Sequence, residues 1–236
     1  MIKKICINFV LLTVLWTAQA CDDGLIPEKT YTPEHTGYTA KLTARISGAD
    51  SWPEYYDVAL AAFGDSEYSR TQTTVHPDAD GNITLLLYNI GEDVQSVEFC
   101  VTNTLRRRVL TFASASLSEA VGDTIYLEAG DVDVSMYTAI QENIFNTNCA
   151  TCHGLSTTAA AGLNLTEGNS YASLVDQPAT SAEGTRVIPG NAEESVLHKV
   201  INPGNEPGLT FSHENMITSS TELRLIDEWI NAGAQN

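Results

Sequence analysis

The segment Cys149-Ala150-Thr151-Cys152-His153 constrains this chain more than any other part of its sequence. Two thiols three residues apart, followed directly by an imidazole, can add to the two vinyl groups of one haem while the histidine binds the iron. All three side chains must therefore face one bound group. The pattern predicts a single haem c, attached covalently through Cys149 and Cys152, with His153 as the proximal iron ligand.

Two other kinds of site also use a C-x-x-C pair. A thioredoxin-type redox pair belongs to βαβ surroundings, which the patterns around the pair do not show. A zinc site of this kind needs a second C-x-x-C pair, which the sequence lacks. Neither site requires a histidine directly after the second cysteine, so haem attachment is the interpretation that uses all three residues.

The N-terminus has the pattern of a secretory signal peptide. Lys3 and Lys4 precede an almost wholly apolar run over residues 5–16, and this run is too short to span a bilayer comfortably. Small residues at Ala18 and Ala20 then satisfy the requirement of a signal peptidase that cleaves before Cys21. We therefore expect residues 1–20 to be removed and the protein to be exported.

The string Thr17-Ala18-Gln19-Ala20-Cys21 resembles the lipobox of bacterial lipoproteins, although Gln19 stands where a smaller residue is usual. This resemblance implies acylation of Cys21, which would anchor the chain in a membrane. Residues 21–37 would then be a lipidated N-terminus and linker. The expected location is the cell envelope, on the periplasmic face or on the outer membrane surface; the alternative is an ordinary secreted protein.

The charge balance restricts the possible partners. The chain has 12 Lys and Arg against 30 Asp and Glu, a formal net charge of -18, and loss of residues 1–20 leaves 10 basic residues against the same 30 acidic ones. Binding to nucleic acid depends on clustered cations, so DNA and RNA are not expected partners. A basic or neutral redox protein is the expected partner.

Residues 38–134 contain about seven stretches of strand character separated by turn signals, as in sandwich domains. Residues 39–46 alternate between apolar and polar, and Asp80-Gly81 is a hairpin signal between two such stretches. Cys100 lies within one of them, where a lone cysteine usually behaves as a small buried apolar residue. The segment predicts an all-β, Ig-like sandwich domain over 38–134, without a catalytic constellation.

Two amphipathic helices bracket the last hundred residues. Residues 136–148 place apolar side chains at helical spacing and run into the C-x-x-C-H segment. At the far end, Ser219-x-x-Glu222 is a capping box, followed by an apolar stripe that stops at Gly233.

Several short strings in this part resemble one family. They are C-x-x-C-H-Gly, Gly162-Leu163-Asn164-Leu165, residues 187–191, Ser195-Val196-Leu197 and residues 228–234. Together they resemble the class I cytochrome c domains common in planctomycete and Bacteroidota secreted proteins. The resemblance implies an all-α class I cytochrome c domain over 135–236, in which Trp229 touches Ile140, Ile144 or Phe145.

The same resemblance implies Met216 as the second axial ligand of the iron. Met216 lies 63 residues after His153, in the loop before the last helix, where the family places its ligand. The family usually follows this methionine with proline, whereas Ile217 follows here. His213 and His198 remain alternatives, and a backbone carbonyl, for which Pro189 is our candidate, should accept the Nδ1 proton of His153.

The sequence therefore predicts a membrane-anchored monohaem c-type cytochrome that transfers single electrons and is not an enzyme. One alternative is a haem enzyme, or a redox or gas sensor, whose sixth ligand is open or displaceable. Another is a binding protein in which the β domain recognises a partner and the haem domain is accessory. A single C-x-x-C-H segment argues against a dihaem peroxidase.

Overall fold

The computed structural model describes residues 37–154, 159–202, 204 and 207–236. The predicted signal peptide and lipidated Cys21 lie outside the described residues. Seven strands occupy the first part: β1 Tyr38–Ser47, β2 Tyr56–Phe63, β3 Ser69–Thr74, β4 Asn82–Ile90, β5 Ser96–Asn103, β6 Arg108–Ser116 and β7 Thr124–Asp133.

The strands form a three-stranded sheet, in the order β4-β1-β7, and a four-stranded sheet, in the order β3-β2-β5-β6. Strand β1 is antiparallel to β4 and parallel to β7, and the neighbours in the larger sheet are all antiparallel. In β1 the predicted alternation is present, because Ala40, Leu42, Ala44 and Ile46 are buried while the residues between them are more exposed.

The larger sheet also buries a small cluster on the face that points away from the main core. Cys100 is fully buried there with Ala61 and Phe63, which confirms the prediction for this cysteine. The Arg108 guanidinium covers the cluster, 4.3 Å from the centroid of the Phe63 ring, and Arg108 Nε lies 2.9 Å from a carboxylate oxygen of Glu98. Burial raises the pKa of the Cys100 thiol, so this cysteine is an unreactive part of the sheet.

The helices follow the last strand and are short. They are α1 Met136–Ile140, a π-helical continuation Gln141–Cys149, α2 Ala150–His153, α3 Ser170–Leu174, α4 Val196–Ile201 and α5 Ser220–Asn231. Single 3₁₀ turns lie at Ala49–Ser51, Leu117–Glu119 and Ala160–Gly162.

The expectation of an all-α class I cytochrome c domain over 135–236 is wrong. Apart from the helical run Met136–His153, the longest helix described in this part is α5 with 12 residues, and α3 and α4 have only five and six. Glycines with positive φ, including Gly168, Gly184 and Gly190, interrupt the chain between these helices, because such a backbone conformation cannot continue a right-handed helix. The described chain is mainly β-sheet with a few short helices.

Helices α1 and α5 are joined to the strand-rich part within one compact unit, His35–Asn236. The indole of Trp52 donates a hydrogen bond to the Val134 carbonyl at 2.6 Å, and the backbone N–H of Met136 donates to the Ser51 hydroxyl at 2.8 Å. Tyr56 donates its phenolic proton to the carboxylate of Glu228 on α5. The core is therefore continuous from the sheets into the helices.

Helix α5 begins where the capping signal predicts, because the Ser219 hydroxyl accepts the backbone N–H of Glu222 at 3.3 Å. Its apolar side contains Trp229, which is 2% exposed. The aromatic ring against Trp229 is that of Tyr137 in α1, with centroids 5.0 Å apart. Ile140, Ile144 and Phe145, the contacts implied by the resemblance, belong to the same core.

Replacement of Trp229 by alanine is expected to lower the free energy of unfolding by about 3–5 kcal/mol, because it leaves a cavity between α1 and α5. Leu105→Ala is the matched control, since Leu105 is 70% exposed and its loss should change stability by less than about 0.5 kcal/mol. Denaturant titration measures both. Equal effects in the two variants would contradict this account of the core.

Candidate functional site

The C-x-x-C-H segment lies at the end of an unbroken helical run. The run begins in α1, continues through the π-helical stretch that ends at Cys149, and finishes in α2 at His153. The wider π geometry is rare and is often found at functional sites. Cys152 is exposed and Cys149 is partly buried, so both thiols lie at or near the surface of one helical turn.

Gly154 ends this run through a close backbone contact. A β-carbon at this position would lie 2.1 Å from the carbonyl oxygen of Ala150, so a larger residue would force the turn apart. Leu165, twelve residues after His153, donates its backbone N–H to the His153 carbonyl at 2.6 Å. The glycine of the string C-x-x-C-H-Gly is therefore explained by local packing.

A buried polar network holds the chain that follows the segment. Gln141 donates from Nε2 to the Leu165 carbonyl at 2.9 Å and accepts the hydroxyl proton of Ser170. The Ser170 and Tyr137 hydroxyls lie 2.5 Å apart. Since Leu165 also donates to the His153 carbonyl, the network links α1, the π-helical stretch and α3 to the residue that carries the imidazole.

The imidazole of His153 is oriented by a backbone carbonyl. Its Nδ1 lies 2.9 Å from the carbonyl oxygen of Ala160, seven residues further along the chain. A proton on Nδ1 satisfies this bond and leaves Nε2 as the nitrogen that can bind another group. Pro189, our candidate for this acceptor, does not supply it; the acceptor is Ala160, whose carbonyl has no signature in the sequence.

The electrostatic surroundings favour a neutral imidazole. Burial lowers the pKa of His153, and the nearby His213 and Arg186 lower it further, against the opposing effects of hydrogen bonds to the backbone of Ala160 and Leu163. Neutral imidazole is the form that binds a metal. Burial, together with the neighbouring Cys152, raises the pKa of Cys149 to about 11, so this thiol is protonated at neutral pH.

The three candidates for a second axial ligand lie in different settings. The ring of His213 is nearly parallel to that of His153, with centroids 6.1 Å apart. Met216 follows in a tight turn, in which its N–H donates to the His213 carbonyl at 3.0 Å, and its side chain is 39% exposed. His198 lies on α4 with its Nδ1 2.7 Å from a carboxylate oxygen of Asp227. The structure thus brings His213, of the three, against His153.

The donors fit a covalently held haem in their chemistry. They supply two thiols on one turn and an imidazole whose Nδ1 is already hydrogen-bonded, which leaves Nε2 for iron.

No group of three or more His, Cys, Asp or Glu side chains suited to a metal ion is found among the described residues. In the same part of the chain, no helix is long and apolar enough to cross a membrane.

Comparisons with protein-family models, with curated proteins and with solved structures gave no match for this chain.

Proposed function

We propose that this protein is a monohaem c-type cytochrome of the cell envelope that transfers single electrons and is not an enzyme. The observation that carries the proposal is the hydrogen bond between His153 Nδ1 and the Ala160 carbonyl. His153 lies at the end of the helical segment that also carries the two thiols. A metal-binding histidine almost always donates its other ring N–H to such an acceptor. A histidine that merely followed two cysteines would not need this arrangement.

In this proposal Cys149 and Cys152 hold the haem and His153 binds its iron through Nε2. When bound, the haem would supply a one-electron iron couple. The Ala160 carbonyl keeps the proton of His153 on Nδ1, and Gly154 allows the close approach of the Ala150 carbonyl at the end of α2. In this proposal the residues of the protein bind and orient the haem, and none of them transfers a proton to a substrate.

The pKa of Cys149 argues against the competing function of a dithiol redox protein. Reactive cysteines in C-x-x-C redox pairs have a lowered pKa, because the thiolate is the nucleophile. Burial does the opposite here and raises the pKa of Cys149 to about 11. A protonated, partly buried thiol suits attachment of a group better than rapid thiol exchange.

The second axial ligand is proposed from the resemblance to be Met216. A thioether is a soft donor that raises the reduction potential and suits electron transfer. His213 is the second candidate, because its ring lies 6.1 Å from that of His153. A sixth position that neither residue occupies firmly would instead suit a haem enzyme or a gas sensor.

The charges around the helices support a basic redox partner. Residues 137–236 contain 11 acidic and 3 basic side chains. Two of the basic ones are already paired, Lys199 with Glu194 at 3.1 Å and Arg224 with Glu228 at 3.7 Å. The negative field of this part would steer a basic protein, and the association rate should fall as salt rises.

An absorption spectrum of the purified protein tests the proposed function. We expect a c-type haem spectrum in the oxidised and reduced states that carbon monoxide does not change, because the sixth position is filled. Ready binding of carbon monoxide would contradict the electron-transfer proposal and would support an enzyme or sensor function instead. A protein without any haem spectrum, produced together with a haem-attachment system, would refute the proposal altogether.

Lipid anchoring is tested by Cys21→Ala. The variant should move from the membrane fraction to the soluble fraction, because acyl chains contribute about 0.8 kcal/mol for each buried CH₂ group. Cys100→Ala is the control, since this buried cysteine should leave fractionation unchanged. A Cys21→Ala protein that remains with the membranes would refute the predicted anchor.

A further inference from the structure

We propose that Arg186 is a positioning residue for His153. Its guanidinium holds the turn Ala160–Gly162 so that the Ala160 carbonyl faces the Nδ1 atom of the imidazole. The effect of Arg186 on the reduction potential rests on the proposed role of His153 as an iron ligand. The contacts of Arg186 with the turn do not depend on that role.

The turn requires a restraint from outside. Ala161 has φ 56° and Gly162 has φ 59°, both in the left-handed region. Glycine adopts this conformation readily, but an alanine side chain disfavours it. A residue of this kind persists in such a conformation when its surroundings hold it there.

Two side chains hold the carbonyls of this turn. Arg186 donates from Nη2 to the Ala161 carbonyl at 3.0 Å and reaches the Gly162 carbonyl at 3.5 Å. The Thr180 hydroxyl donates to the same Ala161 carbonyl at 2.5 Å. The carbonyl of the neighbouring Ala160 is thereby left to accept from His153 and from the Leu163 N–H.

Arg186 is itself fixed in place. Its N–H donates to the Gln177 carbonyl at 2.7 Å and its carbonyl accepts the Leu197 N–H at 2.9 Å. Its Nη1 donates to the Ser173 carbonyl, at the end of α3, at 2.8 Å. Within the described ranges Arg186 forms no ion pair with a carboxylate. The two Nη groups of the planar guanidinium form a fork that joins α3 to the turn. The single ammonium group of a lysine cannot reproduce this geometry.

The test uses Arg186→Gln, Arg186→Lys and Thr180→Val in the full chain. Arg45→Gln is the matched control, because Arg45 also donates to a backbone carbonyl, that of Asp80, in the β region. The readout is the rate at which the Nδ1 proton of His153 exchanges with water, measured by NMR. This proton can be followed with or without bound haem, and the reduction potential is measured wherever haem is bound.

Loss of the fork should speed exchange of the Nδ1 proton about fivefold in both Arg186 variants, and Thr180→Val should speed it about twofold. The reduction potential should rise in the same order, because a weaker hydrogen bond makes the imidazole a less basic ligand. Arg45→Gln should match the wild type in both measurements. Thr180→Val keeps the test decisive if an Arg186 variant does not fold.

Wild-type exchange in Arg186→Gln and Thr180→Val would overturn the inference. Wild-type exchange in Arg186→Lys alone would also overturn it, because charge and not the fork would then be responsible. A wild-type chain without covalent haem would refute the proposed function, yet the exchange rates would still decide whether Arg186 orients His153. The two failures are therefore distinguishable.

Discussion

The protein in which Cys149 and Cys152 are both alanine is expected to carry no haem after denaturing electrophoresis, whereas the wild type retains it. Each thiol would add its S–H across one vinyl double bond of the haem, and the resulting thioether would survive denaturation. The remaining cysteine among the described residues cannot replace this pair, because Cys100 is fully buried in the sheet. Each single variant should keep at most one thioether and a reduced yield of bound haem.

Cys100→Ala is the matched control for this experiment. It removes a cysteine from the same mature chain but lies in the cluster under Arg108, so it should retain haem at the level of the wild type. Haem staining that persists in the double variant would overturn the assignment of Cys149 and Cys152. Loss of haem in Cys100→Ala would show instead that folding of the sheet limits attachment.

Met216→Ala is expected to remove the sulfur-to-iron absorption band of the oxidised protein and to lower the reduction potential, because the soft thioether favours ferrous iron. Met136→Leu is the matched control. Met136 is the other methionine of the mature chain, and it is buried in the core at 2% exposure, so its replacement should leave the band unchanged.

His213→Ala separates the two candidates for the sixth position. With Met216 as the ligand, His213→Ala keeps the band, although the ring next to His153 is lost. With His213 as the ligand, the wild type lacks the band, Met216→Ala has the spectrum of the wild type, and His213→Ala binds carbon monoxide. That second set of results would transfer the axial role from Met216 to His213.

Much of the strand arrangement could be predicted from the sequence because its signals are local. Alternation in residues 39–46 predicts the buried side of β1, and Ala40, Leu42, Ala44 and Ile46 are buried there. The Ser219 cap could be predicted for the same reason, because its hydroxyl contacts the backbone N–H of Glu222 in its own helix. The parallel pairing of β1 with β7 could not be predicted, because those strands are distant in the chain and no turn sets their register.

The all-α expectation for the second part failed for a related reason. It came from short strings that resemble a family, whereas helix length depends on every residue between them. The structure gives α3 and α4 only one to two turns, and glycines with positive φ separate them. A set of local strings does not determine how much of the intervening chain is helical.

The sequence by itself determined which atoms are available for chemistry: two thiols and an imidazole within five residues, carried by an acidic chain with an export signal pattern. Only the tertiary structure decided how that imidazole is oriented. The acceptor for Nδ1 is the Ala160 carbonyl, and the turn that presents it is held by Arg186 and Thr180. Backbone carbonyls are the same in every residue, so their direction follows from the folded chain and not from residue identity.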